Sequence, residues 1–197
     1  MKLFFPAISI TLLFVSCNSS PSPEALNSKK DSITKSNVVD SAFIEGIGGI
    51  IEIPEMLTLA IKDSGTTEQI PAKMGMAYNN IQEDIQNLNL EMQGAPGTLF
   101  YTNDPKNFVF ECVMLIKSMP TKKPKYSQIV ILEATRAVIY NYYGPYDKMY
   151  LAYEKLKPYM TENKLFQTGP SREFYITNAE LQPDSAKWLS RIFIPVK

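Results

Sequence analysis

The chain has no histidine among its 197 residues. That absence removes imidazole at once as a general base, a metal ligand and an axial haem ligand. Only two cysteines occur, Cys17 and Cys112, which excludes a disulfide framework and a Cys-rich metal site. Twenty basic and twenty acidic residues leave no net charge, so electrostatics gives no reason to expect a nucleic-acid partner. On these grounds no cofactor is expected either. What is present instead is a chain 45% hydrophobic, with eleven tyrosines, fourteen prolines and nine methionines. Such a length allows one sizeable domain or two small ones.

The N-terminus reads as a targeting segment. Met1-Lys2 precedes an apolar run, Leu3 to Val15, that is too short to span a bilayer well, and Ser16-Cys17 follows. Leu13-Phe14-Val15-Ser16-Cys17 resembles a bacterial lipoprotein processing site, with Cys17 as the lipidated residue; the alternative is an ordinary secretory signal. Residues 1–17 are thus expected to be a lipoprotein signal peptide. Residues 18–42, rich in Ser, Pro, Asn, Lys and Asp, bury too little apolar surface to offset ordering entropy and read as a flexible tether. The expected location is the bacterial cell envelope, with the protein attached to a membrane by its lipid.

A folded domain is expected over 43–197. Residues 48–61 are β-branched and apolar, and read as a strand with an edge break at Pro54. Ile70, Met74, Tyr78, Ile81, Ile85, Leu88 and Met92 recur at helical steps, after a capping box of Thr66 and Gln69 and a first-turn Pro71. Strands are read at 98–102 and 107–117, and a lysine-rich linker at 120–124. The second half offers one long strand or two over 129–143, broken near Glu133-Ala134. A helix runs from Asp147 to about Thr161, and strands follow at 171–177 and 188–196. The stretches NLEMQGAPGTLFYTNDP and NKLFQTGPSREFYITNA align by eye. The fold class that follows is α+β: two tandem strand-helix-strand-strand repeats, about 43–119 and 126–197, forming an antiparallel sheet with a cleft between the halves.

Alternation puts Glu173, Tyr175 and Thr177 on one strand face and Phe174 and Ile176 on the other. A carboxylate among aromatic rings suits a pocket for a cationic or amphipathic small molecule. The plainer reading is a solvated acid, or a partner of Arg172 or Arg191. Trp188 reads equally as a stacking wall or a core anchor, and Tyr143 as a pocket residue or as packing alongside Tyr140, Tyr142 and Tyr146. Glu111 is either a second cleft carboxylate or an exposed strand residue. Tyr78 reads as core, and Cys112 as buried filler with no base at hand to activate it.

Tyr143-Gly144-Pro145-Tyr146 before a helix, Ala152-Tyr153 with Leu156 inside it, Gly169-Pro170 with Glu173 and Tyr175, and Ile192-Phe193-Ile194-Pro195-Val196 together resemble the GyrI-like effector-binding superfamily. This family also supplies the ligand-binding half of multidrug-responsive transcription regulators. The resemblance implies two repeats about a pseudo-twofold axis, with Glu173 as a buried acid in the cleft between them. It further implies binding of lipophilic cations sandwiched by rings; the companion candidates read from the residues themselves are Tyr143, Tyr175, Trp188 and Glu111. Hydrolysis of small strained compounds by Glu173 and Tyr143 is the alternative. Asn141-Tyr142-Tyr143 stands where many members carry a histidine, and no DNA-binding segment is read before the domain. A haem-binding module of the related SOUL type is disfavoured by the missing histidine.

Overall fold

The computed structural model describes residues 45–102 and 104–197. The expected signal peptide with Cys17 and the expected tether lie outside the described residues. Ten elements form one antiparallel sheet and two helices: β1 (Gly46–Ile53), β2 (Met56–Gly65), α1 (Ile70–Asn87), β3 (Gly97–Phe100), β4 (Phe108–Leu115), β5 (Gln128–Leu132), β6 (Thr135–Tyr143), α2 (Tyr150–Glu162), β7 (Ser171–Tyr175) and β8 (Leu189–Pro195). The sheet order is β1-β6-β8-β7-β3-β4-β2-β5. Exchanging the two repeats reverses that order onto itself, so the domain has pseudo-twofold symmetry with its seam between β7 and β3. The expected α+β antiparallel class holds, but each repeat is strand-strand-helix-strand-strand.

The extra strand comes from the proline break. Pro54 has no N–H to give to a ladder, and the chain splits there into β1 and β2, which do not pair with each other. β1 pairs with β6 in the second repeat, while β2 pairs with β4 and β5. The partners nevertheless keep one register across the break, from Ile53 opposite Thr135 to Met56 opposite Leu132. Two long bent strands therefore tie the repeats together away from the seam.

Both helices lie on one sheet face. Leu59, Ile81, Ile85, Phe110, Cys112 and Ile116 form the core under α1, and Val138, Tyr140, Leu156, Ile192 and Ile194 form its counterpart under α2. Each fully buried aliphatic contributes roughly 1.5–3 kcal/mol. The helix-free face buries a third cluster, Ala60, Leu99, Val113, Leu132 and Phe174, so the sheet curls over it. Cys112 is buried filler, as expected.

Both helices end alike. Asn89 and Lys164 adopt left-handed conformations (φ 50° and 54°), and Leu90 and Leu165 donate backward to Ile85 and Met160 carbonyls at 2.9 Å. This is the αL helix stop, and it ends α1 at Asn87 rather than at Met92 as the periodicity suggests. At the other end, Gln69 accepts from the Thr66 N–H at 3.1 Å, which is half of the expected capping box. Isolated bridges Met92–Ile116 and Gln167–Val196 follow the two stops. Equivalent residues thus lie seventy-five apart. The alignment by eye slips by one, because it matches Asn89 to Asn163 and lets Gly and Pro spacing set the phase.

Candidate functional site

On β3 and β7 the ladder sets Thr98 opposite Glu173, and the seventy-five-residue offset makes these two residues symmetry equivalents. Both side chains point to the helix face at the seam. Each helix sends one tyrosine to meet them, twenty residues earlier in each repeat. Tyr153 of α2 donates to Glu173 Oε1 at 2.6 Å and also reaches Ser171 Oγ at 3.3 Å. Tyr78 of α1 donates to the Gly97 carbonyl at 2.7 Å and shares a 2.8 Å hydrogen bond with Thr98 Oγ1. Tyr175 closes the chain, its hydroxyl 3.3 Å from Glu173 Oε2 and 3.2 Å from Thr98 Oγ1.

Glu173 is only 7% exposed. The four ion pairs among the described residues all lie elsewhere, so its carboxylate has hydroxyl donors but no counter-ion. Burial pushes its pKa up to about 7, against the opposing pull of the Tyr153 and Tyr175 hydroxyls. Burial and the neighbouring carboxylate hold Tyr153 and Tyr175 well above their ordinary pKa, and burial does the same for Tyr78. These phenols therefore stay protonated as donors.

An aromatic wall leads outward from the acid. Tyr146 meets Tyr175 edge-on at 5.1 Å and Trp188 at 4.9 Å between centroids, while Tyr146 itself is 39% exposed. Trp188 donates its indole N–H to the Gln182 carbonyl at 2.7 Å, which orients the ring. It precedes β8 rather than opening it.

The expected site residues therefore divide. Glu173, Tyr175 and Trp188 belong to one assembly. Tyr143 does not join it: it lines a separate cavity of about 270 Å³ with Tyr140, Tyr142, Lys148 and Lys155. The one acid lining that cavity is the exposed Glu45, so the buried carboxylate marks the stronger candidate. Glu111 is buried but pairs with Leu99, on the opposite sheet face from Glu173, where the Tyr101 hydroxyl donates to it at 2.5 Å. Arg172 also faces that side, which removes it as a partner for Glu173. Tyr78, Tyr153 and Thr98 were not singled out as site residues by the sequence, although the equal spacing of twenty from tyrosine to strand residue in each repeat was there to be read.

Many solved structures share the fold, these three among them. The EcmrR C-terminal domain is 22% identical, with a TM-score of 0.64 over 75% of this chain and 95% of that one. EcmrR in its DNA complex is 23% identical with a TM-score of 0.67, and this chain spans only 56% of its length. SAV2435 bound to tetraphenylphosphonium is 15% identical, with a TM-score of 0.57 over 78% and 94%. No curated protein matches the sequence. The family model for the GyrI-like small molecule binding domain matches residues 49–197, which takes in the seam, both helices and Glu173, and the chain belongs to that family.

Proposed function

We propose that this domain binds a small amphipathic or cationic ligand, with Glu173 as counter-charge and Tyr146, Tyr175 and Trp188 as the ring surface, between the two repeats. The observation that carries the reading is a buried carboxylate supplied with hydroxyl donors and no cation. A ligand cation would relieve the desolvation of that charge, and faces of tyrosine and tryptophan favour cations as well. The tetraphenylphosphonium held by SAV2435 is a molecule of this class. We further propose attachment to a membrane of the bacterial cell envelope through a lipid on Cys17.

The test is thermal unfolding with aromatic cations, tetraphenylphosphonium among them, against neutral aromatics of similar size. A ligand that binds only the native state raises Tm by mass action. Cations should raise it and the neutral compounds should not; equal shifts would count against a counter-charge role. The hydrolytic alternative draws on the same acid, since a carboxyl poised near neutrality suits a general base for water. Turnover lost in Glu173→Gln while binding partly persists would support it.

A further inference from the structure

β7 carries opposite charges on adjacent buried residues. Glu173 faces the helices, and Arg172 faces the curled, helix-free side, opposite Leu99 on β3 and Phe193 on β8. Arg172 is 7% exposed. Its Nη2 reaches the Glu133 carbonyl at a long 3.4 Å, while Nε and Nη1 are buried without a hydrogen-bond partner. Those two nitrogens carry most of the guanidinium's N–H donors, and the group stays charged at any physiological pH. A buried charged donor left unsatisfied is among the least favourable arrangements a fold can hold.

Nothing within the described residues discharges it. Glu111 lies on the same face, two strands away through Leu99, but is engaged by Tyr101. Lys62, opposite Glu111 in the ladder, sits with its ammonium 3.5 Å above the Tyr101 ring and is a second cation near that carboxylate. Tyr101 is 40% exposed, and burial together with its bond to Glu111 raises its pKa, so the phenol stays neutral and gives the guanidinium no counter-charge. Leu99, Val113 and Phe174 form a buried apolar cluster on the same face.

We infer that the helix-free face holds a second binding site, independent of Glu173, in which Arg172 takes a small oxyanion, a carboxylate or a phosphate group. Guanidinium matches both chemistries through charge-assisted hydrogen bonds.

Acetate and inorganic phosphate, each titrated into the purified protein against chloride at constant ionic strength, test this. The readouts are Tm and the amide resonances of Leu99, Tyr101 and Phe193. One anion should give a saturable shift in both, and which one does identifies the source. Arg172→Lys should weaken the response at least tenfold and Arg172→Met should abolish it, while the tetraphenylphosphonium response of both variants stays as in wild type. Glu111→Gln, which removes the competing carboxylate and serves if Arg172→Met does not fold, should tighten anion binding. Absence of a saturable shift with either anion, a response retained in the Arg172 variants (an adventitious ion only), or no tightening in Glu111→Gln would each overturn the site.

Discussion

Thr98 and Glu173 stand opposite each other at the seam, equivalent positions of two similar repeats filled by a neutral and an acidic side chain. The flanking tyrosines keep the symmetry that this pair breaks, for Tyr78 meets Thr98 as Tyr153 meets Glu173. One half of the seam is thus a hydroxyl network, and the other is the same network holding a charge.

That charge sets the first prediction. The folded pKa of Glu173 lies near 7, against an ordinary 4.5. Because folding raises it, the folded state is favoured while the group is protonated, and stability falls as pH climbs from 4.5 through 7. The difference is on the order of 3 kcal/mol once both states are ionised. Chemical denaturation of the unliganded protein at pH 5 and pH 8 should show this loss. Glu173→Gln should flatten it and be the more stable protein at pH 8.

Cation binding should run the other way. A ligand that pairs with the carboxylate lowers its pKa, so affinity should rise with pH up to about 7 and binding should release protons below that point. Calorimetry in buffers of different ionisation enthalpy measures the release. Affinity independent of pH between 5 and 8 would contradict the pairing.

The two symmetry-related tyrosines should not be equivalent in effect. Tyr153→Phe removes the closest donor to the carboxylate and should move the pH midpoint of cation binding upward. Tyr78→Phe removes a bond to Thr98 and a backbone carbonyl and should cost about 1 kcal/mol of stability, leaving that midpoint in place. Equal midpoint shifts in the two variants would show that the acid feels both repeats alike.

The linker between repeats has its own anchor. Asp84 of α1 is fully buried and accepts from the backbone N–H groups of Lys125, Tyr126 and Ser127, and from the Ser127 hydroxyl, at 2.7–2.9 Å. Asp84→Ala should cost about 3 kcal/mol, since several donors lose a charged acceptor together. Urea denaturation should show the midpoint falling at an unchanged slope.

Much of this was open to a reader of the sequence, and the misses share a cause. Helix periodicity placed α1 and α2, and alternation put Glu173 and Tyr175 on one strand face, because those signals are local. Pro54 betrayed a break but not that the strand before it pairs only with β6 of the second repeat while the strand after it sits between β4 and β5, since pairing partners are chosen by distant residues. Tyr78 was read as core because a tyrosine at helical spacing looks apolar until its hydroxyl has a destination. Glu111 looked like a companion of Glu173 because both are acids in strands among apolar neighbours. Only the ladder, through Leu99 and Arg172, shows them on opposite faces.

At the N-terminus, incorporation of labelled palmitate into the protein in a bacterial host should be lost in Cys17→Ser. Label retained in that variant would remove the proposed anchor.

The most direct measurement is the Kd of tetraphenylphosphonium for wild type and Glu173→Gln by calorimetry at pH 8. Loss of the counter-charge should weaken binding at least tenfold while the ring surface persists. Equal affinity in the two proteins would mean that the seam acid is not what the ligand's charge meets.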